Sequence, residues 1–317
     1  MSGRLVISRL GAQGDGVADT AEGPVFVPFA LPGETVTVAR EKNRATLLAV
    51  LEESPLRVTP PCRHFGECGG CALQHLDHTA YLAWKREKVV EALAARRVEA
   101  PVAEIVPCAP QSRRRAVFSA RRGDRGIVLG YNRALSHDLI DITECPILVP
   151  AIVDALPLLR HLAGIVAATR DAFRLTVTHT DSGLDIAVEG SGPLSETARR
   201  AAADFVIRER LARLTVDGEI VIEPVKPVVT FGPATVAPPP GAFLQAVASA
   251  EASMADLVTA HLAKAKRVAD LFSGSGTFAL RLAARSEVHA VEADAAVLAA
   301  LDRGFRFATG LRKVTVE

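Results

Sequence analysis

Cysteines supply the most chemically loaded pattern in this chain. Cys62, Cys68 and Cys71 lie in the ten-residue run Cys62-Arg-His-Phe-Gly-Glu-Cys68-Gly-Gly-Cys71, and Cys145 stands far downstream in Glu144-Cys145-Pro146. Sulfur ligands this close, separated by Gly69 and Gly70 that allow a tight backbone turn, suit a metal or an iron-sulfur centre. Two other readings compete: buried structural thiols, and a structural zinc, which four thiolates also satisfy. The spacing departs from paired zinc-ribbon knuckles, so we favour the iron-sulfur cluster. It would use four of the five cysteines.

A second constellation is Val268-Ala-Asp270-Leu-Phe272-Ser-Gly274-Ser-Gly276-Thr277-Phe278, followed by Val291-Glu292-Ala-Asp294. Glycines after a strand let a ligand approach the backbone, and an acid at the end of the next strand can accept both hydroxyls of a ribose. The competing bland reading is a tight turn. Gly274-Ser-Gly276 lacks the third glycine of the dinucleotide fingerprint, and no basic residue grips a phosphate. An acid, an aromatic and no phosphate grip suit S-adenosylmethionine.

The third feature is charge. Arg113, Arg114, Arg115, Arg121, Arg122, Arg125 and Arg133 crowd one segment that holds a single acid, Asp124. A solvated strand face is the default reading, and a surface that tracks phosphates is the alternative. Lys and Arg total 37 against 36 Asp and Glu, a formal net charge of +1, so any nucleic-acid contact must come from such local charge.

The elements that would position these groups follow from patterning. Short strands Arg4 to Leu10, Gly23 to Phe29, Glu34 to Arg40 and Arg44 to Glu53, split by turn residues, suggest a small barrel of OB type. A helix over Thr79 to Arg97 follows the cysteine run. Strands such as Arg115 to Arg121 and Leu175 to Thr178, with helices over Pro150 to Thr169 and Pro193 to Arg210, give an α+β middle domain closed by Pro238-Pro239-Pro240. Beyond it a helix over Ser249 to Ala265, a strand Arg267 to Phe272, a helix from Thr277, a strand Val288 to Val291, a helix from Asp294 and a strand at Val314 begin a doubly wound sheet. The 317 residues thus divide into 1–57, 58–240 and 241–317. No signal peptide or membrane span is expected, which implies a cytoplasmic protein whose clustered thiols stay reduced.

These features in this order resemble the bacterial RNA (uracil-5-)-methyltransferases that modify 23S ribosomal or transfer RNA, over nearly the whole chain. The resemblance implies a TRAM barrel at 1–57, a 4Fe-4S cluster on Cys62, Cys68, Cys71 and Cys145 in the central α+β domain, and the first part of a Rossmann-like S-adenosylmethionine domain at 241–317. Gly241-Ala-Phe243-Leu-Gln245 looks like the motif whose glutamine sits beside the methyl donor. By the same resemblance Phe272, Gly274, Gly276 and Thr277 lie against the donor, Glu292 holds its ribose, and Arg113, Arg114 and Arg115 match a basic stretch that meets RNA. The chemistry implied is addition of a cysteine thiolate to C6 of uridine, methyl transfer to C5, then loss of the C5 proton to a carboxylate.

In the family the nucleophile and base follow an Asp-Pro-Pro-Arg-like strand end that this sequence lacks. We therefore expect no catalytic residue before Glu317, and a C-terminally truncated, inactive monomer. Cys108, in Val106-Pro107-Cys108-Ala109-Pro110, reads as a small buried or loop residue. A non-catalytic iron-sulfur RNA-binding protein is the alternative reading. A radical S-adenosylmethionine enzyme is less apt, because three ligands at a three-then-two spacing are its mark.

Overall fold

The structure, a computed structural model, describes residues 2–124, 126–134 and 136–317. The chain forms two compact units, one of residues 1–107 with 131–140 and one of 108–130 with 141–317. Residues 58–107 thus fold with the N-terminal strands, and no division between compact units falls at Pro240.

The first unit opens with β1 (Ser2–Val6), β2 (Arg9–Leu10), β3 (Gly16–Thr20), β4 (Gly23–Val27), β5 (Thr35–Glu41) and β6 (Arg44–Glu52), in sheet order β1-β5-β6-β4-β3-β2. The two edge strands are consecutive pieces of one segment: Ile7 N–H donates to Glu34 O and Ser8 N–H to Val17 O. The sheet therefore closes on itself, which removes its exposed edges. Alternate residues fill the interior, among them Ile7, Ala18, Val25, Val27, Val36 and Val38. Strand β3 escaped the sequence reading, where its glycine-rich flank looked like turn. Its Gly16 is required because a Cβ there would stand 2.6 Å from Ala30 O.

Helix α1 (His78–Ala95) begins at Asp77, whose side chain accepts the Ala80 N–H at 3.0 Å. Its Tyr81 and Trp84 pack with Leu10, Leu31, Leu73 and Leu76. Glu34, fully buried, is gripped by Arg57 and by Leu31 N–H. Burial alone would raise its carboxyl, but the Arg57 guanidinium and the Leu31 and Ser54 amides outweigh this and hold it below its ordinary value.

A mixed sheet, within the second unit except for the end of β8 and most of β9, is made from β7 (Arg115–Gly123), β8 (Gly126–Asn132), β9 (Leu139–Asp141), β10 (Phe173–Thr180), β11 (Gly183–Glu189), β12 (Arg213–Val216) and β13 (Glu219–Ile222), in the order β13-β12-β11-β10-β7-β8-β9. The helical run expected over Pro150 to Thr169 is two pieces, α2 (Pro150–Val153) and α3 (Leu156–Val166), with Pro157 in the first turn of the second. Helix α4 (Glu196–Arg208), capped by Ser195, makes the crossover that lets β12 lie parallel to β11. Arg213 on β12 forks onto Asp185 of β11 at 2.9 and 2.7 Å.

A hairpin of β14 (Val229–Phe231) and β15 (Ala234–Val236) then precedes α5 (Ala248–His261). Three parallel strands follow, β16 (Arg267–Leu271), β17 (Glu287–Val291) and β18 (Val314–Val316), joined by α6 (Ala279–Leu282) and α7 (Ala295–Phe307). Hairpin and strands share one core through Phe231, Val236, Leu280, Val288 and Leu301. Gly304 admits this packing, since a Cβ there would lie 2.6 Å from Val236 Cγ2. No helix among the described residues is long and apolar enough to cross a membrane.

Candidate functional site

The glycine loop leaves β16 through a sharp backbone reversal. Phe272 adopts φ +60°, Gly274 +55° and Gly276 +99°, and the Phe272 ring is 90% exposed. A large aromatic held in a left-handed conformation and presented to solvent is unexplained by packing, and such features cluster where ligands bind. Gly276 also has no room for a side chain, because a Cβ would meet Leu280 Cδ1 at 2.7 Å.

Glu292, at the end of β17, faces this loop. Gly274 N–H donates to its Oε2 at 3.0 Å and Asp294 N–H to its Oε1 at 3.1 Å. Each carboxylate oxygen accepts one backbone donor and keeps a lone pair for another. Asp294 in turn caps α7 through the Ala296 and Val297 amides.

Beneath the loop three buried oxygens, Asp270 Oδ2, Ser273 Oγ and Ser275 Oγ, have no hydrogen-bond partner. Burial pushes the Asp270 carboxyl up, against the opposing effect of the Ala279 N–H. Buried oxygens left unsatisfied in one short loop are costly unless a polar ligand or water completes them. Gln245 and Thr277 are half-buried, and each is tied by its backbone carbonyl to an arginine: Arg114 Nε donates to Gln245 O at 3.1 Å and Arg281 Nη1 to Thr277 O at 2.9 Å. The ends of β16 and β17 and the loop form a cradle tied by the Gly274–Glu292 bond, and the Gln245 segment joins it through Arg114, Glu251 and Arg281.

The arginine run is used differently from the sequence expectation. Arg114 is taken up by the buried Glu251 carboxylate at 2.7 Å, so its guanidinium is committed inside the fold. Arg115 is half-buried, and its Nε has no partner. Desolvation, then the neighbouring Arg113 charge, lowers its pKa. Arg113 and Arg121 are exposed, and Arg122 donates to the carbonyls of Gly164 and Ala167. Arg125 lies outside the described residues. The alternation of β7, with Ala116, Phe118 and Ala120 buried, could have warned that only part of the run meets solvent.

Among the described residues no group of three or more His, Cys, Asp or Glu stands together as a metal ion would need. The structure therefore lends the ligand set expected from Cys62, Cys68, Cys71 and Cys145 no support of its own. Cys68 Sγ accepts the Gly70 N–H of its own loop at 3.4 Å. The loop itself is tightly seated: a Cβ on Gly69 would lie 2.7 Å from Asn132 O. The donor chemistry still suits iron and sulfur, since soft thiols on a glycine turn with an amide donated to sulfur are what such a cluster takes. Cys108 is exposed in an irregular stretch.

A parallel strand, a glycine loop, a short helix and an acid-ended second strand define an α/β sheet of the kind whose ligands sit at the carboxyl ends of the strands. Comparison with known proteins narrows this class. An uncharacterised RNA methyltransferase of Mesorhizobium japonicum is 59% identical over 317 residues, which is all of this chain and 76% of that protein. The 23S rRNA (uracil(1939)-C(5))-methyltransferase of Halomonas elongata is 35% identical and matches 93% of this chain and 66% of its own. The crystal structure of the Pyrococcus abyssi tRNA (uracil-54, C5)-methyltransferase with S-adenosyl-L-homocysteine shares the fold, with a TM-score of 0.75, 21% identity and coverage of 99% and 79% of the two chains. No family model matches. The chain belongs to the RNA (uracil-5-)-methyltransferase family.

Proposed function

We propose that this chain binds S-adenosylmethionine for methylation of C5 of uridine in RNA, with 23S rRNA as the favoured substrate. The observation that carries the reading is the loop after β16, where Asp270, Ser273 and Ser275 keep unsatisfied buried oxygens and Glu292 stands oriented by two backbone amides. Glu292 takes the ribose hydroxyls, Phe272 and Thr277 flank the donor with Gly274 and Gly276 admitting it, and Gln245 lies beside its methyl-bearing end. The cofactor supplies an electrophilic methyl group.

Domain roles follow the same reading. Residues 1–57 form the TRAM barrel and contact RNA, Arg113 and Arg115 also meet RNA, and Arg114 serves the fold. Cys62, Cys68, Cys71 and Cys145 hold a 4Fe-4S cluster that takes no part in methyl transfer. None of the five cysteines is assigned as nucleophile, because four are assigned to the cluster and Cys108 is read as an exposed loop residue. Donor and RNA binding are therefore expected of this chain without turnover, in the cytoplasm and as a monomer.

Calorimetric titration with S-adenosyl-L-homocysteine tests the reading. Saturable binding is expected, weakened about tenfold or more in Glu292→Ala, which removes a bidentate ribose acceptor. Tighter binding of a nicotinamide dinucleotide than of S-adenosyl-L-homocysteine would overturn it. Robust methyl incorporation into uridine-containing RNA would show that a thiol of this chain does act as nucleophile.

A further inference from the structure

Glu251 on α5 is 1% exposed, and its two carboxylate oxygens go to two different arginines. Oε2 accepts from Arg114 Nη2 at 2.7 Å and Oε1 from Arg281 Nη2 at 3.0 Å. Each arginine spends another donor on a main-chain carbonyl of the cradle: Arg114 on Gln245 O, Arg281 on Thr277 O. The main chain repeats the first link, with Arg114 N–H donating to Ala246 O at 2.7 Å. Arg281 is further fixed over the Phe231 ring, 5.4 Å from its centroid.

A buried carboxylate between two guanidiniums is a poor device for stability, because desolvating three charges consumes what their attraction returns. It is a good device for position. Planar guanidinium forks hold their partners in one geometry, which a lysine cannot do. Gln245 and Thr277 come from separate segments, before α5 and before α6. Among the described residues, Glu251 is the one side chain to which both of their arginines connect.

We propose that Glu251 is a positioning residue of the methyl-donor pocket, setting the Gln245 and Thr277 walls at a fixed separation through Arg114 and Arg281. The proposal rests on the donor-binding reading of the loop. It predicts that Glu251 governs recognition of the methionine end of the donor, whereas the ribose end depends on Glu292, which is held by its own amides. It also explains why an arginine in a basic run is withdrawn from solvent.

The test compares two ligands, S-adenosyl-L-homocysteine and adenosine, by calorimetry on the unmodified chain, Glu251→Gln and Arg281→Lys. Glu251→Gln is expected to weaken S-adenosyl-L-homocysteine by about tenfold or more while changing adenosine by less than about threefold. Arg281→Lys keeps the buried charge balance and so preserves the fold, yet one ammonium cannot reproduce the fork; it is expected to show the same selective loss in milder form. Equal weakening of both ligands, or no weakening of either, would overturn the positioning role while leaving the donor reading intact. Failure of the unmodified chain to bind S-adenosyl-L-homocysteine would overturn both.

Discussion

The amide of Gly274 donates to Glu292 Oε2 at 3.0 Å, so the loop that follows the first strand of the parallel sheet is tied directly to the acid that ends the second. The carboxylate is oriented before any ligand arrives, which lowers the entropy cost of binding. The same bond makes the loop sensitive to its glycines.

Gly274 and Gly276 should differ sharply when replaced by alanine. At Gly274 the backbone is in the left-handed region, φ +55°, but nothing lies within 4 Å of an added Cβ. Gly274→Ala is expected to cost about 1 kcal/mol, the conformational penalty alone. At Gly276, φ is +99° and the new methyl would meet Leu280 Cδ1 at 2.7 Å and Leu301 Cγ at 3.0 Å. Strain and overpacking together should cost about 2–4 kcal/mol. Urea denaturation of both variants checks this, and equal midpoints would contradict the packing account.

His75 makes the first unit sensitive to mild acid. The residue is 1% exposed, with its ring packed beside Phe29 and Phe65. Burial first, then the nearby Arg57 charge, lowers its pKa from 6.5 to about 4. The folded state thus resists a proton that the unfolded chain accepts. Stability from this group is complete above pH 6.5 and is lost as pH falls toward 4, by about 3 kcal/mol over the whole window. Denaturation at pH 7 and pH 5 should differ by about 2 kcal/mol in the native sequence. In His75→Phe that difference should shrink, and an unchanged pH slope would exclude His75 as its source.

Local chemistry was more legible in the sequence than architecture. The spacing from Asp270 to Glu292 placed an acid at a strand end after a glycine loop, because a strand, a turn and a helix consume a predictable length of chain. The helix from Asp294 was equally readable, since its cap is a local bond. Strand β3 was hidden because Gly16 is demanded by the closeness of Ala30, a contact distant in sequence. The fate of Arg114 was hidden for the same reason: its partner Glu251 lies on a helix far along the chain, and no local pattern marks it. Arginine runs look alike whether they face solvent or a buried carboxylate.

Asp270 separates what the loop needs for stability from what it needs for binding. Its Oδ2 is buried without a partner, and burial raises its pKa from the ordinary aspartate value despite the Ala279 amide. A carboxyl whose folded pKa is raised favours the native state while it is protonated. That advantage is present below the unfolded value of 3.8 and is lost as pH rises through the folded one. Once ionised at higher pH the group is therefore a liability, because burial disfavours its charge. Asp270→Asn removes the charge at nearly constant volume. It should raise the melting temperature at pH 8, and the gain should shrink as pH falls and the native carboxyl takes up its proton. The same variant should bind S-adenosyl-L-homocysteine more weakly, since an amide offers one acceptor where a carboxylate offers two. Thermal scans across pH and calorimetry on one preparation read both effects; a variant less stable at pH 8 than the native chain would show that Asp270 serves the fold rather than the ligand.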